Sequence, residues 1–171
     1  KGANMEMERM EASLRGWAQA PYRTKIETDA NYKRMLRYGL IEENSKAVFL
    51  GIASHNLFDL AYGMILAASQ DALPRVQFEM LEGMANHQRR AMFELSQSVL
   101  LYAPACQKEE FINAIGYLVR RLDENTGPDN FLRHAFKISA GGATWQRLEN
   151  GFLEAVQRAD TVSVQPRRQQ N

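Results

Sequence analysis

Three short apolar runs, each followed by a segment of helical period, constrain this chain more than any other feature. They are "AVFLGIAS" at 47–54, "RVQFEML" at 75–81 and "VLLYAP" at 99–104. A strand that is apolar on both faces needs cover on both faces, and helices between such strands make them run parallel. Apolar residues at helical spacing follow each run, over Leu57–Gln70, Asn86–Gln97 and Glu109–Asn125. A fourth strand is expected to end at "KGA", residues 1–3. The fold class is therefore α/β, with about four parallel βα units. These make either a small open sheet or half of an eight-stranded barrel, and periodicity does not separate the two.

Elsewhere, Met5 to Trp17 has helical spacing, its methionines reading as packing residues. "GWAQAPYRTKIET" reads as a loop, and Thr28 or Asp29 as the N-cap of a helix carrying Tyr32, Met35, Leu36 and Leu40. After Gly127-Pro128, the segments Asn130–Ile138 and Thr144–Ala159 read as two further helices. The tail "TVSVQPRRQQN" has no periodicity and reads as a linker or frayed end.

Composition removes several classes of function. With 21 Lys and Arg against 20 Asp and Glu, nothing global draws the chain to nucleic acid or to an anionic membrane. The single cysteine, Cys106, forbids an internal disulfide and suits a reducing compartment. The most hydrophobic stretch, Leu57–Ala68, contains Asp59 and is too short for a membrane span. "KGANMEMERM" holds no apolar signal core, and a start without Met suggests a piece of a longer chain. The three histidines (His55, His87, His134) lack metal-ligand spacing, and no Walker loop, GxGxxG or GxSxG occurs.

In parallel α/β folds the chemistry gathers at the carboxyl ends of the strands. Each expected strand end here is polar or small: Lys1, Gly2, Ala3 and Asn4; Ser54, His55 and Asn56; Glu82 and Gly83; Tyr102 before Pro104. Each also has a plain reading. His55 can cap the next helix or satisfy a loop carbonyl, Asn56 is a good N-cap, and Tyr102 can be a buried aromatic. "YLVRRLDEN", 117–125, holds two adjacent arginines. At 100° per residue, Phe111, Ala114, Ile115, Leu118, Val119 and Leu122 form an apolar arc expected to face the core. Tyr117, Arg120, Arg121 and Glu124 fall on another arc, with Glu124 in reach of either arginine. On pattern alone this second arc is a solvated face or a carboxylate clamp, since two guanidinium forks suit one small anion.

In chain order, "KGA", "ASHN", "FEMLEGM", "LLYAP" and "YLVRRLDEN" resemble the proline dehydrogenase domain of the bifunctional proline utilisation A flavoenzymes. The resemblance covers about residues 1–140, and "ETDANYKRML" and "ENTGPDNFLRH" are similar to one branch of that family. Asn4 and Met5 stand where other branches carry an aromatic pair. The family implies the second half of a distorted (β/α)8 TIM barrel with FAD at the strand ends. It implies oxidation of L-proline to pyrroline-5-carboxylate in proline catabolism to glutamate, with quinone as electron acceptor. It implies that Arg120 and Arg121 hold the substrate carboxylate, that Tyr102 and Leu81 pack on the proline ring, and that Glu124 orients an arginine beside the cofactor. Lys1, Gly2, Ala3, Asn4, Thr24, Ser54, His55, Asn56 and Glu124 would contact FAD, and no metal is implied.

The remaining expectations follow from that family. Residues 1–140 would be the C-terminal half of the barrel, 141–160 a trailing helix, and 161–171 a linker toward an absent NAD-dependent glutamate semialdehyde dehydrogenase domain. Half a barrel leaves sheet edges and apolar surface bare, so the isolated piece is expected to be inactive until the missing half completes it. The setting would be cytoplasmic, peripheral to the membrane for quinone reduction, with self-association left open. Two other readings stand beside this one: a flavin-dependent oxidase of another imino acid such as hydroxyproline, and a non-enzymatic helical interaction module.

Overall fold

The computed structural model describes residues 5–128 and 130–169. The strand expected to end at "KGA", with Lys1, Gly2, Ala3 and Asn4, lies outside them. In chain order the elements are α1 (Met5–Arg15), α2 (Lys25–Leu40), α3 (Glu42–Ser45), β1 (Leu50–Ala53), α4 (Leu57–Ser69), β2 (Val76–Leu81), α5 (Asn86–Ser96), β3 (Val99–Tyr102), α6 (Phe111–Thr126) and α7 (Ala143–Arg158). Single 3-10 turns occupy Leu73–Arg75, Lys108–Glu110 and Phe131–Arg133. The three strands form one parallel sheet in the order β1-β2-β3, so the expected alternation of strand and helix holds through this region.

The chain divides into two compact units, residues up to 35 together with those from 149 onward, and residues 36–148. The second holds the sheet. Ile52, Phe78 and Met80 are buried on one face of it, and α4 packs closely over Ile52. A Cβ added to Gly63 of α4 would come 2.9 Å from the Ile52 Cδ1, closer than real contacts allow. Leu40, Ala67 and Ala72 extend this core, with Leu50, Leu66 and Val76 against them. Asn56 caps α4, its side chain accepting from the Phe58 N–H at 3.0 Å.

In the first unit, α2 begins earlier than the sequence suggests. Its N-terminus is a capping box rather than a cap at Thr28 or Asp29. Glu27 accepts from the Thr24 amide at 3.1 Å and from its hydroxyl at 3.0 Å, while the Glu27 amide meets the Thr24 Oγ1 at 3.3 Å. Those bonds, the hydroxyl's first and the amide's second, hold the Glu27 carboxyl below its usual range. A lowered carboxylate pKa adds stability above the unfolded value and loses it as pH falls through the folded one. Thr24→Ala should therefore cost about 1 kcal/mol at neutral pH. The gap in melting temperature from wild type should narrow as pH falls into the carboxylate range. A gap that does not change with pH would remove the box from the account.

Other boundaries differ for local reasons. Ala47–Phe49 are the exit from α3, which tightens the turn before β1, so the first strand is shorter than its apolar run. Asn130–Ile138 makes only the 3-10 turn at Phe131–Arg133, N-capped by the Asn130 side chain on the Leu132 amide, before further turns. The tail is not frayed through its described part. The Tyr22 hydroxyl donates to the Ser163 carbonyl at 2.5 Å, Arg167 donates to the Pro21 carbonyl at 2.8 Å, and Arg168 pairs with Glu8. In the same unit Lys33 is buried, its ammonium 5.1 Å over the Phe152 ring.

Candidate active site

Side chains alternate across the sheet, so the residues between the buried ones define a second face. It carries Gly51 and Ala53 from β1, Gln77, Glu79 and Leu81 from β2, and Leu100 and Tyr102 from β3. All are exposed or half-buried, so this face is open. Leu81 and Tyr102 are direct register partners, which places two of the expected ring-packing residues side by side. The Tyr102 hydroxyl hydrogen-bonds the Glu79 carboxylate. That bond, and then the nearby negative charge, push the phenol above its usual range and keep it protonated.

The carboxyl end of β1 is held by its own polar residues. The Ser54 Oγ accepts from the Asn56 amide at 3.0 Å, and the Ser54 amide extends the ladder to the Glu79 carbonyl. His55 is neither the cap of α4 nor the partner of a loop carbonyl through this nitrogen. Its Nε2 accepts the Leu81 N–H at 2.9 Å, so Nε2 carries no proton. The bond ties the end of β1 to the end of β2 just where Leu81 projects onto the open face. Beyond β2, Gly83 and Ala85 both take left-handed backbone, with φ of 77° and 49°. Such a conformation costs an alanine free energy, and it is found where loops shape sites.

Between those two residues, the Met84 thioether accepts from the Asn125 side-chain amide at 2.8 Å. This joins the "FEMLEGM" loop to the end of α6. One turn back along α6, Arg121 donates through Nε to the Tyr117 hydroxyl at 3.2 Å and through Nη1 to Glu124 at 3.1 Å. Its guanidinium lies 5.2 Å over the Tyr117 ring. Burial works against the Arg121 charge, but the Tyr117 hydroxyl and the Glu124 carboxylate outweigh it and raise its pKa. Arg120 is exposed and forms no hydrogen bond or ion pair among the described residues. One guanidinium is thus braced and the other has its donors unspent.

The expected residues therefore fall into groups. Ser54, His55, Asn56 and Leu81 form one linked set, and Tyr117, Arg121 and Glu124 another. Neither arginine hydrogen-bonds Leu81 or Tyr102. Thr24 lies in the first unit, where its side chain is occupied in the capping box. The arc from Phe111 to Leu122 does not face a core. Only Ala114 is buried, while Phe111, Ile115, Leu118, Val119 and Leu122 are 42–61% exposed, because nothing described covers them. Glu79 was not among the expected residues. Its signal is a lone carboxylate at an open-face position inside an apolar strand.

Among the described residues, no group of three His, Cys, Asp or Glu is placed to hold a metal ion, and no helix is long and apolar enough to cross a membrane. A cleft of about 280 Å³ in the first unit, between Pro21, Tyr32 and Val164, contains none of the expected residues.

Comparison with known proteins fits this arrangement. The family model for proline dehydrogenase matches residues 1–134. The structure of proline utilization A (PutA) from Corynebacterium freiburgense is similar over 99% of this chain, with 38% identity and a TM-score of 0.82. PutA from Bdellovibrio bacteriovorus, inactivated by N-propargylglycine, is similar over 100% of it, with 31% identity and a TM-score of 0.77. This chain spans 16% of the length of each. No curated protein matches. With the family model covering most of its length, the chain belongs to the proline dehydrogenase family.

Proposed function

We propose that this chain supplies the substrate-clamping part of a flavin-dependent proline dehydrogenase, which oxidises L-proline to pyrroline-5-carboxylate. The observation that carries the reading is the pair on α6: Arg121 braced by Glu124 and Tyr117, and Arg120 beside it with its donors unspent. Proline is a small amino acid with a single carboxylate, and two guanidinium forks can take that carboxylate. Glu124 sets the angle of Arg121. Leu81 and Tyr102, adjacent on the open face, would bracket the apolar ring.

The described residues fit a flavin. On the open face of β1, Gly51 lies under the Glu79 carboxylate, and Ala53 at the carboxyl end offers only a methyl to a flat ring system. Ser54, His55 and Asn56 set polar atoms at the carboxyl end, where parallel α/β folds hold their ligands. With Glu124 they make up the proposed FAD contacts of this unit. When bound, FAD would supply the redox chemistry, as the hydride acceptor for the carbon beside the ring nitrogen. The protein's task is to hold the substrate in place with water excluded.

The bare apolar face of α6, and the two sheet edges at β1 and β3, support the reading that these elements are half of a (β/α)8 barrel closed by further strands. The coverage of the PutA structures supports a longer bifunctional parent with an NAD-dependent glutamate semialdehyde dehydrogenase domain, residues 161–171 leading toward it. Quinone remains the proposed acceptor, with a cytoplasmic, membrane-peripheral setting.

The test is the visible spectrum of the full-length protein with FAD, before and after anaerobic L-proline. Flavin bands should appear and then bleach. Bands that bleach with hydroxyproline but not proline would move the substrate, and a protein that takes up no flavin would overturn the assignment.

A further inference from the structure

On the open face, one carboxylate touches all three strands. Glu79 sits on the central strand, opposite Ala53 of β1 and Leu100 of β3 in the register. Its side chain leans over β1 at Gly51. A Cβ built there would lie 2.8 Å from the Glu79 carboxyl carbon and closer still to one of its oxygens, so no other residue at position 51 leaves the carboxylate where it is. The same carboxylate accepts the Tyr102 hydroxyl from β3, one register step further along. A ring on an edge strand that reaches a group leaning across the opposite edge must lie along the sheet surface. Tyr102 is 49% exposed, so packing alone does not fix that pose.

We propose that Glu79 is a positioning residue for the substrate ring: seated over Gly51, it holds the Tyr102 phenol flat across the open face next to Leu81. Glycine at 51 is the space that makes this possible, and the carboxylate is the anchor. Together they fix the wall on which a small saturated ring rests, while the carboxylate of the ligand goes to the arginines. The inference rests on the substrate reading of Tyr102 given above.

The experiment is a double-mutant cycle on the full-length enzyme, with KM for L-proline and kcat measured for wild type, Glu79→Ala, Tyr102→Phe and the pair. Glu79→Ala alone should raise KM about tenfold, the worth of one hydrogen bond to a charged group, with kcat changed less. Glu79→Gln keeps an acceptor and should recover most of the loss. In the Tyr102→Phe background, which has no hydroxyl to hold, Glu79→Ala should add little. Gly51→Ala should mimic Glu79→Ala by displacing the carboxylate, and it reports independently if Glu79→Ala folds poorly. Additive effects of Glu79→Ala and Tyr102→Phe, or an unchanged KM in Gly51→Ala, would overturn the proposal. A wild-type enzyme whose flavin does not bleach with proline would instead remove the substrate reading itself.

Discussion

Arg120→Ala should raise the KM for L-proline about a hundredfold in the full-length enzyme, the cost of losing a charge-assisted fork on the substrate carboxylate. Arg121→Ala should do the same, but the two variants should part company in stability. Among the described residues Arg120 makes no hydrogen bond or ion pair, so its loss should leave the melting temperature unchanged. Arg121 is bonded to Glu124 and Tyr117, so its loss leaves a half-buried carboxylate unpaired and should lower it. Arg120→Lys keeps the charge and loses the planar fork, and should fall in between at about tenfold. Carboxylate binding serves ground state and transition state alike, so kcat should move less than KM. On the proposed reading, N-propargylglycine, an amino-carboxylate that inactivates the Bdellovibrio bacteriovorus PutA, should inactivate the wild type and act more slowly on both variants. Unchanged KM and unchanged inactivation in both alanine variants would return the arginines to an ordinary solvated face.

The largest effect on folding is expected under α4. Ile52 is fully buried, and Ile52→Ala should cost about 3–4 kcal/mol, the removed methylenes plus the cavity they leave. In the opposite direction, Gly63→Ala pushes a methyl to 2.9 Å from the Ile52 Cδ1 and should cost about 1–3 kcal/mol by overpacking. Made together, they should cost clearly less than their sum and no more than Ile52→Ala alone, since the new methyl enters part of the vacated space and no longer clashes. Chemical denaturation of the four proteins measures the cycle. Additive losses would mean that α4 does not rest on β1 through this contact. Because His55 and Asn56 lie between these two elements, the double variant should also retain the β1–β2 link through Leu81.

Much of this was legible in the sequence. β2 and β3 lie within the apolar runs that announce them, since a short apolar run between segments of helical period reads as a strand. The link from Glu124 to Arg121 was also foreseeable, because i,i+3 spacing on a helix fixes which side chains can meet. What was not legible required knowledge of the third dimension. The arc from Phe111 to Leu122 looks like a core face, yet periodicity shows only that a surface is apolar, not what lies over it. Thr24 looked like part of a loop because a capping box needs the partner three residues on to fold back. Glu79 was passed over since its meaning depends on Gly51, 28 positions earlier in the numbering, standing beside it across the sheet. His55 had two plain readings, and neither named a strand amide.

The bonds between the tail and the Pro21 loop set an order of events during synthesis. Tyr22 and Pro21 find their partners 141 and 146 positions later, and Arg168 reaches the Ala18 carbonyl 150 positions back. The unit they close consists of the two ends of this sequence, with the sheet-bearing unit in between. A ribosome releases the sheet, its helices and the arginine-bearing α6 before the residues that finish the first unit exist. The pieces with short sequence separation are therefore free to assemble first, and the closing of residues 163–168 onto the early loop follows them as a slower step.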